Sequence, residues 1–358
     1  MPRYDAAVVI GRFQPLHHAH LSLLRRAFDM AEQVVVVIGS AFQARSPRNP
    51  FSAAERRELL RLAIGDADCT RLRVLPVRDH YDDERWAGVV RQGVEQQLRQ
   101  AGLAAQRIVL VGHHKDATSG YLDSFPGWAL ERVPRLAGVG ATAVRDAWFG
   151  AAAVPGALPS ALAALVDPLP DSTREFLRAW SALPAYAELA EEWQRLADYR
   201  RAWSGSPYPP VFVTVDAVVH CGGQVLLIRR GQPPGRGLLA VPGGFIEQRE
   251  TLWQSCLREL REETCLDLPE ALMRRAHRES AVFDHPDRSQ RGRMITHAMR
   301  FDLGDGEPPA VQAADDAASV QWLPIAALPP LEDQFHDDHF HMLDHFFGLT
   351  GEPLAGGA

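Results

Sequence analysis

Two groups of side chains in this sequence have the types and spacing that phosphate and metal chemistry requires. The segment GRFQPLHHAHLSLLRRA carries three histidines within four residues, shortly after the apolar run AAVVI. The segment LWQSCLRELREETCL carries Glu259, Glu262 and Glu263 at positions i, i+3 and i+4. Because that spacing puts side chains on one face of a helix, the three carboxylates are expected to crowd together.

The acidic face belongs to a helix predicted over residues 252–263. Like charges at this spacing destabilise a helix, and none of the three glutamates is offset by a lysine. A solvated acidic face is the simpler alternative, but a divalent cation would explain the pattern. Hard oxygen ligands select Mg²⁺ or Mn²⁺, which commonly bind through a few carboxylates together with substrate phosphates. We therefore expect a phosphate-containing substrate.

The histidines lie where a predicted strand gives way to a predicted helix. A helix N-terminus offers unpaired N–H groups and the positive end of its dipole to an anion. His17 and His20 flank this helix start, one turn apart. They could be histidines without a role, metal ligands or phosphate contacts. A metal site would need an acidic or cysteine partner nearby, which the segment lacks, whereas phosphate contact needs only imidazole donors.

Short apolar runs alternate with helix-like segments from Ala6 to about residue 136. The runs are AAVVI, QVVVVIGS, RLRVLPV and RIVLVG, and the segments between them include SAAERRELLRLAI and RWAGVVRQGVEQQLRQA. This alternation predicts an α/β fold, a parallel sheet with crossover helices. Ligands of such sheets bind beyond the carboxyl ends of the strands, and the histidines follow the first predicted strand.

The sequence pattern changes after a run rich in Gly, Ser and Pro at residues 204–210, which we interpret as a domain joint. VFVTVDAVVHCGGQVLLIRR predicts two strands around a Gly-Gly turn, and SAVFDH, MITHAMRFDL and SVQWLP are further strand candidates. The second half is therefore predicted to be mixed α+β. A length of 358 residues, 46% of them apolar, also favours two domains.

Composition argues against several kinds of partner. The net charge of −7 and the mixed charges along the chain disfavour nucleic acid and an anionic membrane surface. The sequence lacks a signal peptide's apolar stretch and any run of about 18 apolar residues. Its four cysteines form no C-x-x-C pair, so we expect reduced thiols in a cytoplasmic protein. Whether the chain forms a homo-oligomer is left open.

The acidic segment, extended to GGFIEQRETLWQSCLRELREETCL, resembles the Nudix box, G-x5-E-x7-R-E-U-x-E-E-x-G-U with U aliphatic. The matching positions are Gly244, Glu250, Arg258, Glu259, Leu260, Glu262, Glu263 and Leu266. Cys265 replaces the last glycine. The resemblance implies that Glu259, Glu262 and Glu263 hold the metal, with Glu262 and Glu263 as catalytic residues.

The same resemblance implies roles for the residues around these carboxylates. Gly243 and Gly244 would shape the loop that binds substrate, and Arg258 would pair with Glu250 or with a helix glutamate. The implied chemistry is metal-assisted attack of water on a diphosphate linkage.

Downstream, FDHPDRSQRGRMITHAM predicts a loop whose Arg288, Arg291 and Arg293 suit a diphosphate, with a solvated loop as the alternative. The segment resembles the corresponding stretch of Nudix enzymes that split ADP-ribose into AMP and ribose 5-phosphate. Glu332 and His285 are the two candidates for a general base, and the sequence does not choose between them.

The histidine segment resembles the H-x-G-H motif of the nucleotidyltransferase superfamily, with His17 and His20 as the pair and Ala19 in place of the glycine. A second segment, GVGATAVRDAW, matches the superfamily's S/T-x-x-R element at Thr142 and Arg145. GRFQPLHHAH, GSAFQARSPRNPFSAAER and GYLDSFPGW resemble the nicotinamide-mononucleotide (NMN) adenylyltransferase half of bifunctional enzymes that carry a Nudix half after it.

This resemblance implies a Rossmann-like nucleotidyltransferase domain over residues 1–185, a helical linker over 186–208 and a Nudix-fold domain over 209–350. The first domain would transfer the adenylyl group of ATP to NMN, giving NAD and pyrophosphate, with Mg²⁺ or Mn²⁺ as cofactor. His17 and His20 would be its catalytic contacts to the ATP phosphates. Its implied substrate-binding residues are Arg12, Thr142, Arg145 and Trp86.

Some alternatives remain open at this point. Trp86 would stack on the nicotinamide ring or simply belong to the core. Arg48, Asn49 and Arg56 are weaker candidates for the mononucleotide phosphate or for the loop that holds it. The chain could also be a regulator that binds NAD-related nucleotides without turnover, or an enzyme with the same chemistries on other nucleotides.

Overall fold

The computed structural model describes residues 3–103, 107–113, 124–134 and 140–351. The chain divides into two compact units, Met1–Glu191 and Glu192–Ala358. The division falls inside one helix, Pro184–Ala202, so the limits of a separate linker over 186–208 stay a prediction. Residues 120–123 of GYLDSFPGW and 138–139 of GVGATAVRDAW lie outside the described residues.

The first unit is built on a five-stranded sheet in the order β3-β2-β1-β4-β5. All of its strand pairs are parallel, which confirms the predicted α/β fold. The strands are β1 (Tyr4–Gly11), β2 (Ala31–Ile38), β3 (Leu72–Pro76), β4 (Ile108–Gly112) and β5 (Ala129–Arg132). The strand order reverses beside β1, and ligands of doubly wound sheets bind at that switch point.

The strands of this sheet present apolar side chains on both faces, and helices therefore cover both faces. Leu24 and Phe28 of one helix pack on the face that includes Val34, and Val90 and Val94 of another pack on the opposite face. The helices of this unit are α1 (His18–Met30), α2 (Ala53–Ile64), α3 (Asp66–Cys69), α4 (Asp83–Gln100), α5 (Ala141–Gly150), α6 (Leu158–Ala164) and α7 (Asp171–Trp180), with α8 (Pro184–Ala202) continuing into the second unit.

The second unit is built on a mixed seven-stranded sheet in the order β10-β11-β6-β7-β12, with β8 paired to β7 and β9 paired to β6. β6 and β11 are parallel and the other pairs are antiparallel. The strands are β6 (Val211–Cys221), β7 (Gln224–Arg230), β8 (Leu239–Ala240), β9 (Gly243–Phe245), β10 (His277–Phe283), β11 (Arg293–Asp302) and β12 (Ala317–Pro324). The predicted α+β class is confirmed.

Helices also cover both faces of the second sheet. Leu260 belongs to the core on one face and Leu343 to the core on the other. The helices are α9 (Leu252–Thr264), α10 (Glu270–Ala276) and α11 (His339–Phe347). Thr251 caps α9 by accepting the Gln254 N–H, and the Gln254 side chain accepts the Thr251 N–H in return.

The C-terminal cap of α9 is Cys265, which has a left-handed conformation with φ 54°. Its N–H donates to the Arg261 carbonyl over 2.9 Å. The Nudix box has glycine at this position, and glycine adopts the left-handed region without the steric cost of a side chain. The structure therefore keeps the turn that the motif requires and places a cysteine in it.

Within the described residues, no helix combines the length and apolar character needed to span a membrane.

Candidate active sites

One buried side chain, Arg56 of α2, holds the loops that follow β1 and β2. Its guanidinium donates to the carbonyl oxygens of Arg12 (2.9 Å), Gly39 (2.7 Å) and Ser40 (3.1 Å). Burial lowers the pKa of Arg56 to about 10. A guanidinium bonded to three carbonyls positions the two loops, which explains the burial of Arg56 and fits the loop-holding alternative considered from sequence.

The same two loops contain residues in the left-handed conformation, Phe13 (φ 52°) and Ser40 (φ 50°). Such conformations are uncommon outside glycine and gather at functional sites. Gln14 fixes the first loop by donating to the Phe51 carbonyl (2.8 Å) and accepting the Phe51 N–H (3.0 Å). Asp79 fixes the second by accepting the N–H (2.9 Å) and hydroxyl (2.5 Å) of Ser40.

His17 and His20 lie at the start of α1 with their rings stacked, 3.7 Å apart at the centroids and 16° from parallel. The backbone N–H of His17 donates to Nδ1 of His20 over 3.3 Å. In neutral His20 the proton therefore lies on Nε2, which can donate to an anion. His18 between them is tied to the Pro168 carbonyl through its own N–H (3.0 Å).

Ala19 replaces the glycine of the histidine motif, and its methyl group is covered by protein, being 5% exposed. The Ala19 carbonyl accepts a hydrogen bond from the Ser22 hydroxyl (2.9 Å) and lies 3.2 Å from Nε2 of His113. Nδ1 of His113 lies 2.8 Å from the Val133 carbonyl. The first turn of α1 is thereby linked to the chain that follows β4 and β5.

The charge of the Arg145 guanidinium interacts with those of two other arginines, Arg12 and Arg48. Arg145 of α5 is buried and donates to the Gln14 carbonyl (2.6 Å) and to the Thr142 hydroxyl (3.3 Å). Burial lowers the pKa of Arg145 to about 10, and the charges of Arg12 and Arg48 lower it too. A polyanion bound here would relieve this repulsion.

Trp86 of α4 is half-buried at the edge of the core. Its ring meets Phe125 edge-on at 6.2 Å, and Phe125 stacks on Trp128 at 4.8 Å. The structure therefore gives Trp86 a packing role and leaves part of its surface accessible, so both interpretations of Trp86 stay open.

In the second unit, Arg258 pairs with three carboxylates of the Nudix box. It donates to Glu250 (2.9 Å), Glu259 (2.8 Å) and Glu262 (2.8 Å). Burial alone would lower the pKa of Arg258, but these three bonds raise it. The expected pairing of Arg258 with Glu250 and with helix glutamates is thus present.

Gly243 and Gly244 let carboxylates lie against the backbone of β9. A Cβ at Gly244 would come within 2.6 Å of the Glu259 carboxylate, and one at Gly243 would overlap Oδ1 of Asp216. Glu263 accepts the Gly243 N–H over 2.8 Å. Three carboxylates from two different elements therefore converge on these two residues.

Glu263, the most buried of the box glutamates, also hydrogen-bonds the Asp316 side chain. Burial, together with the neighbouring Asp316 carboxylate, raises the pKa of Glu263 to about 9. Backbone bonds from Ala314 to the Glu263 carbonyl (3.1 Å) and from Gln312 to the Thr264 carbonyl (2.9 Å) fix the Asp316 segment beside α9. Asp316 is a residue of this site that the sequence did not reveal.

The donor chemistry fits a divalent cation. Among the residues that the structure describes, no three His, Cys, Asp or Glu side chains already form a ligand group. Arg258 instead compensates Glu259 and Glu262, while the buried Glu263 carboxylate lies beside Asp316, so these carboxylates carry more negative charge than Arg258 alone compensates. A cluster of hard oxygen donors that needs positive charge is what Mg²⁺ and Mn²⁺ select.

A pocket of about 420 Å³, including its open mouth, adjoins the box at Gly243 and Gly244. Its lining is mainly polar: Thr214, Asp216, Arg230, Val241, Gly243, Gly244, Arg288, Ser289, Arg291, Met294, Thr296, Asp337, Asp338 and His339. Asp216, Asp338 and His339 had no assigned role from sequence. Asp216 lies in an otherwise apolar strand, and Asp338 follows it by more than 100 residues in the sequence. Only the folded structure shows that Asp216 and Asp338 line the same pocket.

The three loop arginines have different partners. Arg288 is buried and makes two bonds to Asp338 (2.9 and 2.7 Å), and Arg293 pairs with Asp284 (3.8 Å). Arg291 lies across the ring of Phe245, 5.3 Å from its centroid. Only Arg288 and Arg291 are in the pocket lining, and the described lining contains neither of the base candidates, Glu332 and His285.

The fold and these residues define a class: a nucleotidyltransferase-like unit with histidines at a helix N-terminus, followed by a Nudix unit. The cytidylyltransferase-like family matches residues 8–81 and the NUDIX domain family matches residues 210–346. The chain is 31% identical to a bifunctional NMN adenylyltransferase/ADP-ribose pyrophosphatase of Francisella tularensis, whose structure was solved with AMP and a manganese ion. That likeness covers 96% of this chain and 99% of the other, with a TM-score of 0.86. This chain belongs to that bifunctional family.

Two relatives match the separate units. A nicotinamide/nicotinic acid mononucleotide adenylyltransferase of Acinetobacter baylyi is 29% identical over 54% of this chain and 96% of its own length. An ADP-ribose pyrophosphatase of Methanocaldococcus jannaschii is 34% identical over 33% of this chain and 65% of its own length.

Proposed function

We propose that the chain catalyses two reactions, adenylyl transfer from ATP to NMN in the first unit and hydrolysis of ADP-ribose in the second. The observation that carries the proposal is the likeness to the bifunctional Francisella tularensis enzyme, which extends over both units in the same order. The alternative of a sensor without turnover is not favoured, because the relatives of both units are named as enzymes.

In the first reaction an oxygen of the NMN phosphate attacks the α-phosphorus of ATP, and the bond from that phosphorus to the bridging oxygen breaks to release pyrophosphate. No protein nucleophile is needed, so catalysis consists of alignment and charge stabilisation. His17 and His20 contact the phosphates, with Nε2 of His20 as a donor. Arg12, Arg145 and Thr142 bind the triphosphate, whose charge compensates the arginine cluster.

The second reaction takes place at the box carboxylates. When bound, a divalent cation, which we propose to be Mg²⁺ with Mn²⁺ as a substitute, would supply an activated water and neutralise the diphosphate. Glu259, Glu262 and Glu263 would hold it, and Arg258 keeps Glu259 and Glu262 in place. Gly243 and Gly244 keep the backbone open to the substrate. The products are AMP and ribose 5-phosphate.

The test is chromatographic. The purified chain is incubated with Mg²⁺, ATP and NMN in one mixture and with Mg²⁺ and ADP-ribose in another. We expect NAD and pyrophosphate from the first, and AMP with ribose 5-phosphate from the second. A third mixture with nicotinic acid mononucleotide compares the two acceptors named for the Acinetobacter baylyi relative. Absence of NAD would overturn the first assignment, and intact ADP-ribose the second.

A further inference from the structure

Three side chains of the first unit are joined by hydrogen bonds that the proposed adenylyl transfer leaves without a role. Asp79, which follows β3, accepts a hydrogen bond from Nε2 of Gln43 over 3.1 Å. Oε1 of Gln43 accepts one from Nδ2 of Asn49 over 2.7 Å. We call Asp79, Gln43 and Asn49 the amide bridge. It connects the end of β3 to the segment that precedes α2.

The amide bridge has a fixed direction because a carboxylate only accepts hydrogen bonds. Asp79 requires the NH2 group of Gln43, which leaves Oε1 of Gln43 to accept from Asn49. Oδ1 of Asn49 is buried with no hydrogen-bond partner in the described part of the chain, so the bond to Gln43 is what holds this amide. Turning over the Asn49 amide would put its oxygen against the oxygen of Gln43.

Asn49 ends a tight turn that carries Arg48. The N–H of Asn49 donates to the Ser46 carbonyl (3.0 Å), and the N–H of Ser46 donates to the Asn49 carbonyl (3.2 Å). The Ser46 hydroxyl oxygen also accepts the Asn49 N–H (3.2 Å). Pro47 takes the first central position, which suits its fixed φ, and Arg48 takes the second. The place of the Arg48 backbone is therefore set by Asn49.

Arg48 lies near an arginine that the proposed reaction assigns to the triphosphate. Its charge interacts with that of Arg145. Phe51, two residues after Asn49, exchanges two hydrogen bonds with Gln14, and the Gln14 carbonyl accepts the Arg145 guanidinium. The segment that carries Arg48 is thus fixed to the same residue as Arg145.

Arg48 and Arg145 come from opposite sides of the switch point in the sheet. Arg145 and Thr142 belong to α5, which follows the edge strand β5, whereas Arg48 follows β2 and the amide bridge begins after β3. Attack on the α-phosphorus requires the acceptor phosphate beside the triphosphate. A guanidinium from the side of β2 and β3 is suited to that acceptor phosphate, because a planar cation pairs well with phosphate oxygens.

We propose that the amide bridge positions Arg48 for the phosphate of the mononucleotide, with Gln43 as the positioning residue. Gln43 acts through Asn49 and the turn and does not contact a substrate itself. This inference rests on the proposed adenylyl transfer and deepens it, because it gives the acceptor phosphate a partner separate from the residues that bind the triphosphate.

The first experiment is a double-mutant cycle on KM for NMN, with kcat and KM for ATP measured alongside. Gln43→Met breaks the amide bridge without adding charge. It should raise KM for NMN about tenfold, as for a lost hydrogen bond to a charged group, and should leave KM for ATP within about twofold of wild type. In a chain that already carries Arg48→Met, the same substitution should have no further effect, because the positioned group is absent.

Gln96→Met, at an exposed glutamine of α4, is the matched control and should change neither KM. Additive effects of Gln43→Met and Arg48→Met would overturn the inference, since they would show that Gln43 does not act through Arg48. A rise in KM for ATP instead of NMN would overturn the assignment to the acceptor phosphate.

The second experiment reverses the direction of one bond in the amide bridge. Gln43→Glu places two carboxylates against each other and should raise KM for NMN at least as much as Gln43→Met. Adding Asp79→Asn should restore KM toward wild type, because the amide introduced at position 79 can donate to the carboxylate at 43, which still accepts from Asn49. A double variant no better than Gln43→Glu alone would contradict the positioning role.

Binding of NMN measured by calorimetry separates this inference from the transferase proposal, because it does not require turnover. A wild-type chain that binds NMN but forms no NAD overturns the transferase, and weaker NMN binding by Gln43→Met would still support the amide bridge. A chain that forms NAD and binds NMN equally well with and without Gln43→Met overturns the amide bridge alone. If Gln43→Met does not fold, the comparison of Gln43→Glu with the double variant decides the question.

Discussion

The imidazole of His20 is stacked on that of His17 and accepts the backbone N–H of His17 through Nδ1. This single bond fixes the proton of neutral His20 on the opposite nitrogen. The stacking and the bond together hold the ring at the helix start, where an anion gains most from the helix dipole.

We expect His20→Ala to lower the rate of adenylyl transfer about 100-fold, the typical effect of removing a donor to developing charge. ADP-ribose hydrolysis should be unchanged. Glu262→Gln should do the reverse, since it removes a carboxylate bonded to Arg258 in the other unit. Parallel assays of both activities on both variants provide the measurement, and equal loss of both activities in either variant would contradict separate sites.

Arg56→Met should destabilise the first unit by about 3 kcal/mol, because three carbonyls, two of them in buried bonds, lose their donor. Arg57→Met changes the neighbouring exposed arginine of the same helix and is the matched control, expected to stay within about 0.5 kcal/mol of wild type. Urea unfolding of the full chain, with hydrogen exchange to assign the transition to β1 and β2, gives both values. Equal effects of the two substitutions would disprove the positioning role.

Cys265→Gly should stabilise the second unit by about 1 kcal/mol, because glycine relieves the left-handed conformation that cysteine holds at the end of α9. Cys265→Ala keeps a Cβ and should bring no such gain. Hydrogen-exchange protection of the last turn of α9 reports the difference. A larger gain from alanine than from glycine would show that the thiol, not the backbone, is responsible.

Asp216 makes the stability of the second unit depend on pH. Burial raises its pKa from 3.8 to about 7, so the unfolded chain loses this proton at lower pH than the folded chain does. Between these two pKa values, the contribution of Asp216 to the free energy of unfolding therefore falls by about 1.4 kcal/mol for each pH unit. Above pH 7 the contribution no longer changes.

Asp216→Asn removes that loss, so its stability relative to wild type should rise from pH 4 to pH 7 and then level off. Urea midpoints measured across this range test the expectation. Asp284→Asn, at an exposed carboxyl, should follow the wild-type curve. A difference between Asp216→Asn and wild type that does not vary with pH would contradict the shift.

The elements with strong apolar patterns were predictable. Four runs of branched residues became β1 to β4, and the box helix, predicted over 252–263, is Leu252–Thr264. β5 was missed because ALER is short and ends in two charged residues, so that only its pairing with β4 makes it a strand. Propensity carries little information for a four-residue segment whose stability comes from its neighbour.

The sequence predicted only those site residues that lie close to one another along the chain. His17, His20 and the box glutamates stand within single helical segments, so their proximity follows from helix geometry. Asp216 and Asp316 act through contacts with Gly243 and Glu263 that are distant in sequence. Arg56 was considered for a phosphate or for the loop that holds it, and Arg288 for a diphosphate. The sequence could not reveal the carbonyl oxygens that Arg56 bonds or the pairing of Arg288 with Asp338, because these partners are distant in sequence.

The guanidinium of Arg56 has one further consequence. Because it joins the carbonyl of Arg12 after β1 to those of Gly39 and Ser40 after β2, a shift of one loop strains the bonds that Arg56 makes to the other. A ligand that orders one loop would also order the other. By thermodynamic reciprocity, each ligand would then increase the affinity for the other by the same factor. Two substrates that touch these loops would thus bind cooperatively through a side chain that touches neither of them.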